Sequence, residues 1–164
     1  MAEPFVPDIG IEYPEKLDGR MVPIKAVRNV IVDEHYPFLN TTITFKIKRL
    51  LIYLVICTLM VVLAFFRFGL RIEGKKILRR HRRLLKDGAM TVANHVHRWD
   101  FPFVVQAVCC RTMYFPVWKE QLNGSDAGLI RGAGGIPIPD GISTIKFFNK
   151  AFDEIRARKK WIHF

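Results

Sequence analysis

The sequence predicts an α/β fold, a sandwich on a mixed sheet, preceded by an N-terminal membrane helix. Three observations carry that prediction. Leu50 to Phe66 is an uninterrupted run of 17 apolar residues with lysine and arginine on both sides. Beyond it, short β-forming runs alternate with helical patterns, as layers of helix on sheet require. Half of the 164 residues are hydrophobic, enough for one small domain with a core.

Residues 1–43 read as an extended arm. Pro4, Pro7, Pro14, Pro23 and Pro37 interrupt any lasting periodicity, with one short strand expected around Ala26 to Val32. The arm carries no catalytic signal and is expected to pack or link. Residues 44–67 read as a membrane-embedded helix. The apolar run is short for a span, since about 20 residues are usual. Lys46, Lys48 and Arg49 before it, and Arg67 and Arg71 after it, can snorkel to extend its length. A single span and a re-entrant or monotopic helix both fit. The run starts too far into the chain, and lacks the cleavage pattern, for a signal peptide.

The charge is strongly basic, 26 Lys and Arg against 15 Asp and Glu, a formal net of +11. Such a chain calls for an acidic partner. No nucleic-acid-binding motif is present, and the cluster Lys75, Lys76, Arg79, Arg80, Arg82 and Arg83 directly follows the apolar helix. That placement suits an anionic membrane surface. It also puts the following segment on the cytoplasmic face by the positive-inside rule.

Residues 68–164 form the main domain. Phe68 to Glu73 alternates like an edge strand. Ala89 to Ala93, opened by the turn pair Asp87-Gly88, reads as a buried strand. Phe101 to Cys110 reads as a helix, with Pro102 tolerated in its first turn. Thr112 to Val117 and Gly135 to Ile138 read as strands. Ile145, Phe148, Ala151, Phe152 and Ile155 mark the core face of another helix, and Trp161 to Phe164 begins a further strand. An odd cysteine count, with Cys57 in the apolar helix and Cys109 beside Cys110, argues against structural disulfides.

The chemistry concentrates in Asn94-His95-Val96-His97-Arg98-Trp99-Asp100. His95 leaves the end of a strand, and Asp100 sits where the next helix begins, as an N-cap. There the helix dipole favours a carboxylate. A loop folding back would bring the carboxylate to the imidazole, fix its tautomer and make it a better base for an alcohol. A metallohydrolase set of His95, His97 and Asp100 is the alternative. It lacks further ligands, because His35, His81 and His163 are scattered and His81 lies in a basic run.

Three ordered blocks together resemble the glycerophospholipid acyltransferase family. They are Asn94-His95-x4-Asp100, then Pro116-Val117-Trp118-Lys119-Glu120, then the glycine-rich Gly128 to Pro139 ending Ile136-Pro137-Ile138-Pro139. The resemblance covers roughly Phe68 to Phe164. It implies the family's acyltransferase sandwich and a membrane-bound transfer of a fatty acyl group from acyl-CoA or acyl-carrier protein to a lysophospholipid hydroxyl. The favoured acceptor is 1-acylglycerol-3-phosphate, and no metal or cofactor is needed. His95 and Asp100 would be catalytic. Lys119, Arg131, Gly134, Gly135, Ile136 and Pro137 would bind substrate, with the glycine-rich block as the candidate source of oxyanion donors. Asp140 stands where family members that bind a phosphate carry an arginine, so Arg131 is nominated as its replacement. In the family the last strand leads into a Phe-Pro-Glu-Gly block, which the chain is expected to lack as an N-terminal fragment. A catalytically silent lipid-binding module is the non-enzymatic rival.

Overall fold

The computed structural model describes residues 25–95 and 99–164. The apolar run forms two consecutive helices, α1 (Ile43–Cys57) and α2 (Leu59–Phe68). Thr42 caps α1, accepting from Phe45 N. Thr58 separates the two helices, its hydroxyl turned back onto Leu54 O at 2.7 Å, a back-bond that often bends helices. Gly69 closes α2 with φ 59°. Leu70 N reaches Ala64 O, and Gly69 N reaches Phe65 O, so the last carbonyls are met by a left-handed glycine cap. That cap replaces the edge strand expected at Phe68 to Glu73: Phe68 ends the helix, and residues 69–73 join no sheet. Together Ile43–Phe68 is one stretch long and apolar enough to cross a membrane.

After α3 (Lys75–Arg80) come β1 (Met90–Thr91), α4 (Asp100–Ala107) and β2 (Met113–Trp118). A 3₁₀ turn (Lys119–Asn123), α5 (Ala127–Ala133), β3 (Gly135–Ile138), α6 (Ile142–Ala157) and β4 (Trp161–His163) follow. The sheet order is β1-β4-β2-β3. Every pairing among the described residues is parallel, with Met90 opposite Ile162, Met113 opposite Trp161 and Phe115 opposite Gly135. The expected mixed sheet is therefore corrected to a parallel one. The reason is connectivity, since β1, β2 and β3 are each followed by a helical crossover that returns the chain to the same end.

Side chains alternate across the sheet. Met113 and Trp161 face α1 and α4, packing with Tyr53, Ile56, Val105 and Val108. Ile136 and Ile162 face α6, packing with Ala151, Ile155 and the arm residue Phe38. The predicted stripe on α6 holds except at Ile145, which is exposed. The arm forms no strand at Ala26 to Val32. Val27 N and Arg28 N donate to Asn123 O and Val30 N to Asn123 Oδ1, so one asparagine fixes it as an irregular strap.

The glycine-rich block contains α5, although glycine is a poor helix former. The faces of Gly128 and Gly132 meet α1. A Cβ on Gly132 would lie 2.4 Å from Ile52 Cδ1, and one on Gly128 3.2 Å from Lys48 Nζ. Two small residues four apart let α1 and α5 approach closely.

Candidate active site

His95 and Asp100 meet. Backbone bonds between β1 and the end of β4 continue to Ala93, whose N donates to Phe164 O, so His95 emerges two residues past the paired segment. Asp100 is the first residue of α4 rather than its N-cap as expected, the cap position being taken by Trp99. Its carboxylate still lies in the first turn, where the dipole favours negative charge. His95 Nδ1 lies 3.1 Å from Asp100 Oδ2, with the imidazole 74% exposed and the carboxylate 20% exposed. The carboxylate can only accept, so Nδ1 carries the proton and donates. Nε2 is then the basic nitrogen. Phe68, the last residue of α2, packs against Trp99 and Phe103, which sets the end of the apolar helix beside the pair. His97 lies outside the described residues. Among those described, no three His, Cys, Asp or Glu side chains cluster closely enough to hold a metal ion.

His163, at the end of the neighbouring strand β4, sits 3.0 Å from Thr91 Oγ1. Burial lowers its pKa below the ordinary imidazole range, and the nearby His95 acts in the same direction. It thus offers a neutral ring beside His95, a neighbour that its place in the last strand did not advertise.

Lys119 follows β2 and Asp140 follows β3. The two form an ion pair. Because β2 and β3 are adjacent and parallel, their ends lie side by side, which explains why an acid occupies position 140. Counting strand spacings of about 4.8 Å, the pair lies roughly 10 to 14 Å across the sheet end from β1, the strand that leads to His95. Both groups sit outside the carboxyl ends of parallel strands, where open α/β sheets bind ligands.

The remaining nominated residues lie elsewhere. Arg131 donates to Pro37 O at 2.6 Å, Phe38 O at 3.1 Å and Gly135 O at 3.0 Å, with its guanidinium over the Tyr36 ring. It clasps the arm to the glycine-rich block, so the phosphate role assigned to it does not follow from its position. Gly134 and Gly135 stand at the amino end of β3, opposite to the His95 end, and are buried. A Cβ on Gly134 would meet Met113 O at 2.3 Å. Their smallness lets α5 turn into β3, so the oxyanion-donor role expected of them does not follow from their position. Ile136 and Pro137 are fully buried in the sheet. Of the block, Ile138 to Asp140 reach the ligand end.

The class that emerges is a parallel α/β domain bearing a strand-end His–Asp pair beside an apolar helix. No family model, curated protein or solved structure matches the chain.

Proposed function

We propose that the protein is a membrane-bound O-acyltransferase that moves a fatty acyl group from a CoA or carrier-protein thioester to a lysoglycerophospholipid hydroxyl. The observation that carries this reading is the 3.1 Å contact from His95 Nδ1 to Asp100 Oδ2, which orients Nε2 to accept a proton. In the proposed step Nε2 takes the acceptor hydroxyl's proton as the oxygen attacks the thioester carbonyl. The C–S bond then breaks, and the thiolate takes that proton from the imidazolium. Asp100 stabilises the imidazolium between the two transfers. No acyl-enzyme is needed, and Cys109 and Cys110, beyond the far end of α4, stand away from this chemistry.

The setting supports a lipid substrate. One face of the helical pair, Arg49, Tyr53, Ile56 and Ala64, is buried on the domain, whereas Leu50, Leu51, Leu54, Val55, Leu59, Val62, Phe65 and Phe66 are exposed. A helix pair lying along the domain favours embedding in one leaflet over a projecting span, with the active site on the cytoplasmic face beside the basic segment after α2. Lys119 is the best-placed cation for an acceptor phosphate, 1-acylglycerol-3-phosphate being the favoured acceptor. Its pairing with Asp140 would moderate that attraction.

The test is thioester-dependent acylation of lysolipids by the protein in vesicles. His95→Ala should lower the rate at least about 10²-fold while vesicle binding is retained. A wild-type rate in His95→Ala would overturn the mechanism. Absence of any transfer by the wild-type protein would favour a lipid-binding module.

A further inference from the structure

At the amino end of the sheet, away from His95, a cavity of about 230 Å³ is lined by Leu78, Arg79, Arg82, Leu85, Arg111 and Trp161, among others. Arg79 ends α3, Arg82 lies in the turns after it, and Arg111 precedes β2. Two segments distant in sequence, 79–82 and Arg111, thus bring three guanidinium groups to one hollow. None of the three forms a salt bridge with a described carboxylate. Trp161 is only 5% exposed, and its indole N–H is buried with no acceptor. The Arg111 guanidinium stacks over the Trp161 ring at 5.2 Å, which restrains it at the cavity wall.

The lining is rich in donors and poor in acceptors. Arginine can only donate, so a neutral polyol would leave its own donors unmatched. Three cations favour a dianion with several oxygens, the strength of planar guanidinium groups. Leu78 and Leu85 give apolar walls on which a glycerol or the first methylenes could rest.

We propose that this cavity binds a phosphate monoester, at a site separate from the acyl-transfer centre and independent of that reading. Ile77 and Leu84 are exposed beside the arginines, so a lipid headgroup at a membrane surface and a soluble phosphate are both possible sources of the same chemistry.

The test compares binding of the whole protein to phosphatidylcholine vesicles containing phosphatidic acid, a monoester, or phosphatidylglycerol, a diester, at matched surface charge. Inorganic phosphate serves as the soluble competitor. Arg79→Gln/Arg82→Gln/Arg111→Gln is set against Lys76→Gln/Arg80→Gln/Arg83→Gln, which removes equal charge outside the cavity. We expect a monoester preference that the cavity triple abolishes, with affinity reduced about tenfold or more, and that the control triple retains. Competition by millimolar inorganic phosphate would identify a soluble monoester as the ligand, and its absence a membrane headgroup. Arg111→Gln alone removes the guanidinium held over Trp161 and should weaken monoester binding severalfold, which decides the matter if the triple variant misfolds. Equal binding to both vesicle types, equal losses in the two triples, or unchanged binding in Arg111→Gln would each overturn the site.

Discussion

At the amino ends of β2 and β3, the backbone is tied down by side chains from the apolar helix. Tyr53 Oη accepts from Met113 N at 2.9 Å and lies 3.1 Å from Ala133 O, and Arg49 donates to Met113 O at 2.6 Å. The Arg49 guanidinium stacks on Tyr114 at 4.0 Å. At the carboxyl ends, polar groups face outward instead, with His95 and the Lys119–Asp140 pair exposed to different degrees. One end uses its polar groups to satisfy buried backbone, the other leaves them for a ligand. The contrast explains how a helix with one exposed apolar face can hold a small sheet on its other side, while the polar groups at the carboxyl ends stay accessible. It also makes opposite forecasts for the two ends. Amino-end changes should cost stability, and carboxyl-end changes should cost rate.

The largest expected effect is Gly134→Ala. With φ at 120° and Met113 O only 2.3 Å from the new Cβ, the turn from α5 into β3 must shift. Denaturant unfolding should show a loss of at least about 3 kcal/mol, and a near-neutral result would break the picture of a tight amino end. Next is Asp100→Asn. It should reduce acyl transfer roughly 10²-fold by misorienting the imidazole. Stability should fall by less than about 1 kcal/mol, the worth of one first-turn charge. A stability loss that matches the rate loss would erase the distinction between the ends.

Tyr53→Phe is a milder probe of the amino end. It leaves Met113 N and Ala133 O without their hydroxyl partner and should cost about 1 to 3 kcal/mol with KM for the lysolipid unchanged. The glycine pair sharpens the comparison further. Gly132→Ala should destabilise by roughly 1 to 3 kcal/mol, because Ile52 has to move. Gly128→Ala meets only the flexible end of Lys48 and should be neutral, or stabilising by about 0.5 to 1 kcal/mol through helix propensity. Equal effects of the two would mean that α1 does not pack on α5 as described.

The smallest effect comes from pH. The lowered pKa of His163 means that the folded state resists its protonation. Stability from this group is complete above the unfolded imidazole value of about 6.5 and is lost as pH falls from there through the folded pKa. Urea midpoints at mildly acidic and neutral pH should fall on acidification, and His163→Gln should flatten that slope.

What the amino-acid sequence determined by itself was whatever rests on local order. Hydropathy marks residues 44–67, β-formers and turn residues mark β2, β3 and the start of β4, and a spacing of five lets His95 reach Asp100. Those features need only neighbours within a few residues. Tertiary structure alone decided the rest. The sheet is parallel because of where the crossovers return, and α5 is a helix despite its glycines because α1 lies across them. Lys119 finds Asp140 because two adjacent strands end together. Arg131 is drawn to carbonyls of the arm more than ninety residues away. An arginine suited to phosphate is equally suited to backbone carbonyls, and which of the two it meets depends on contacts between distant segments.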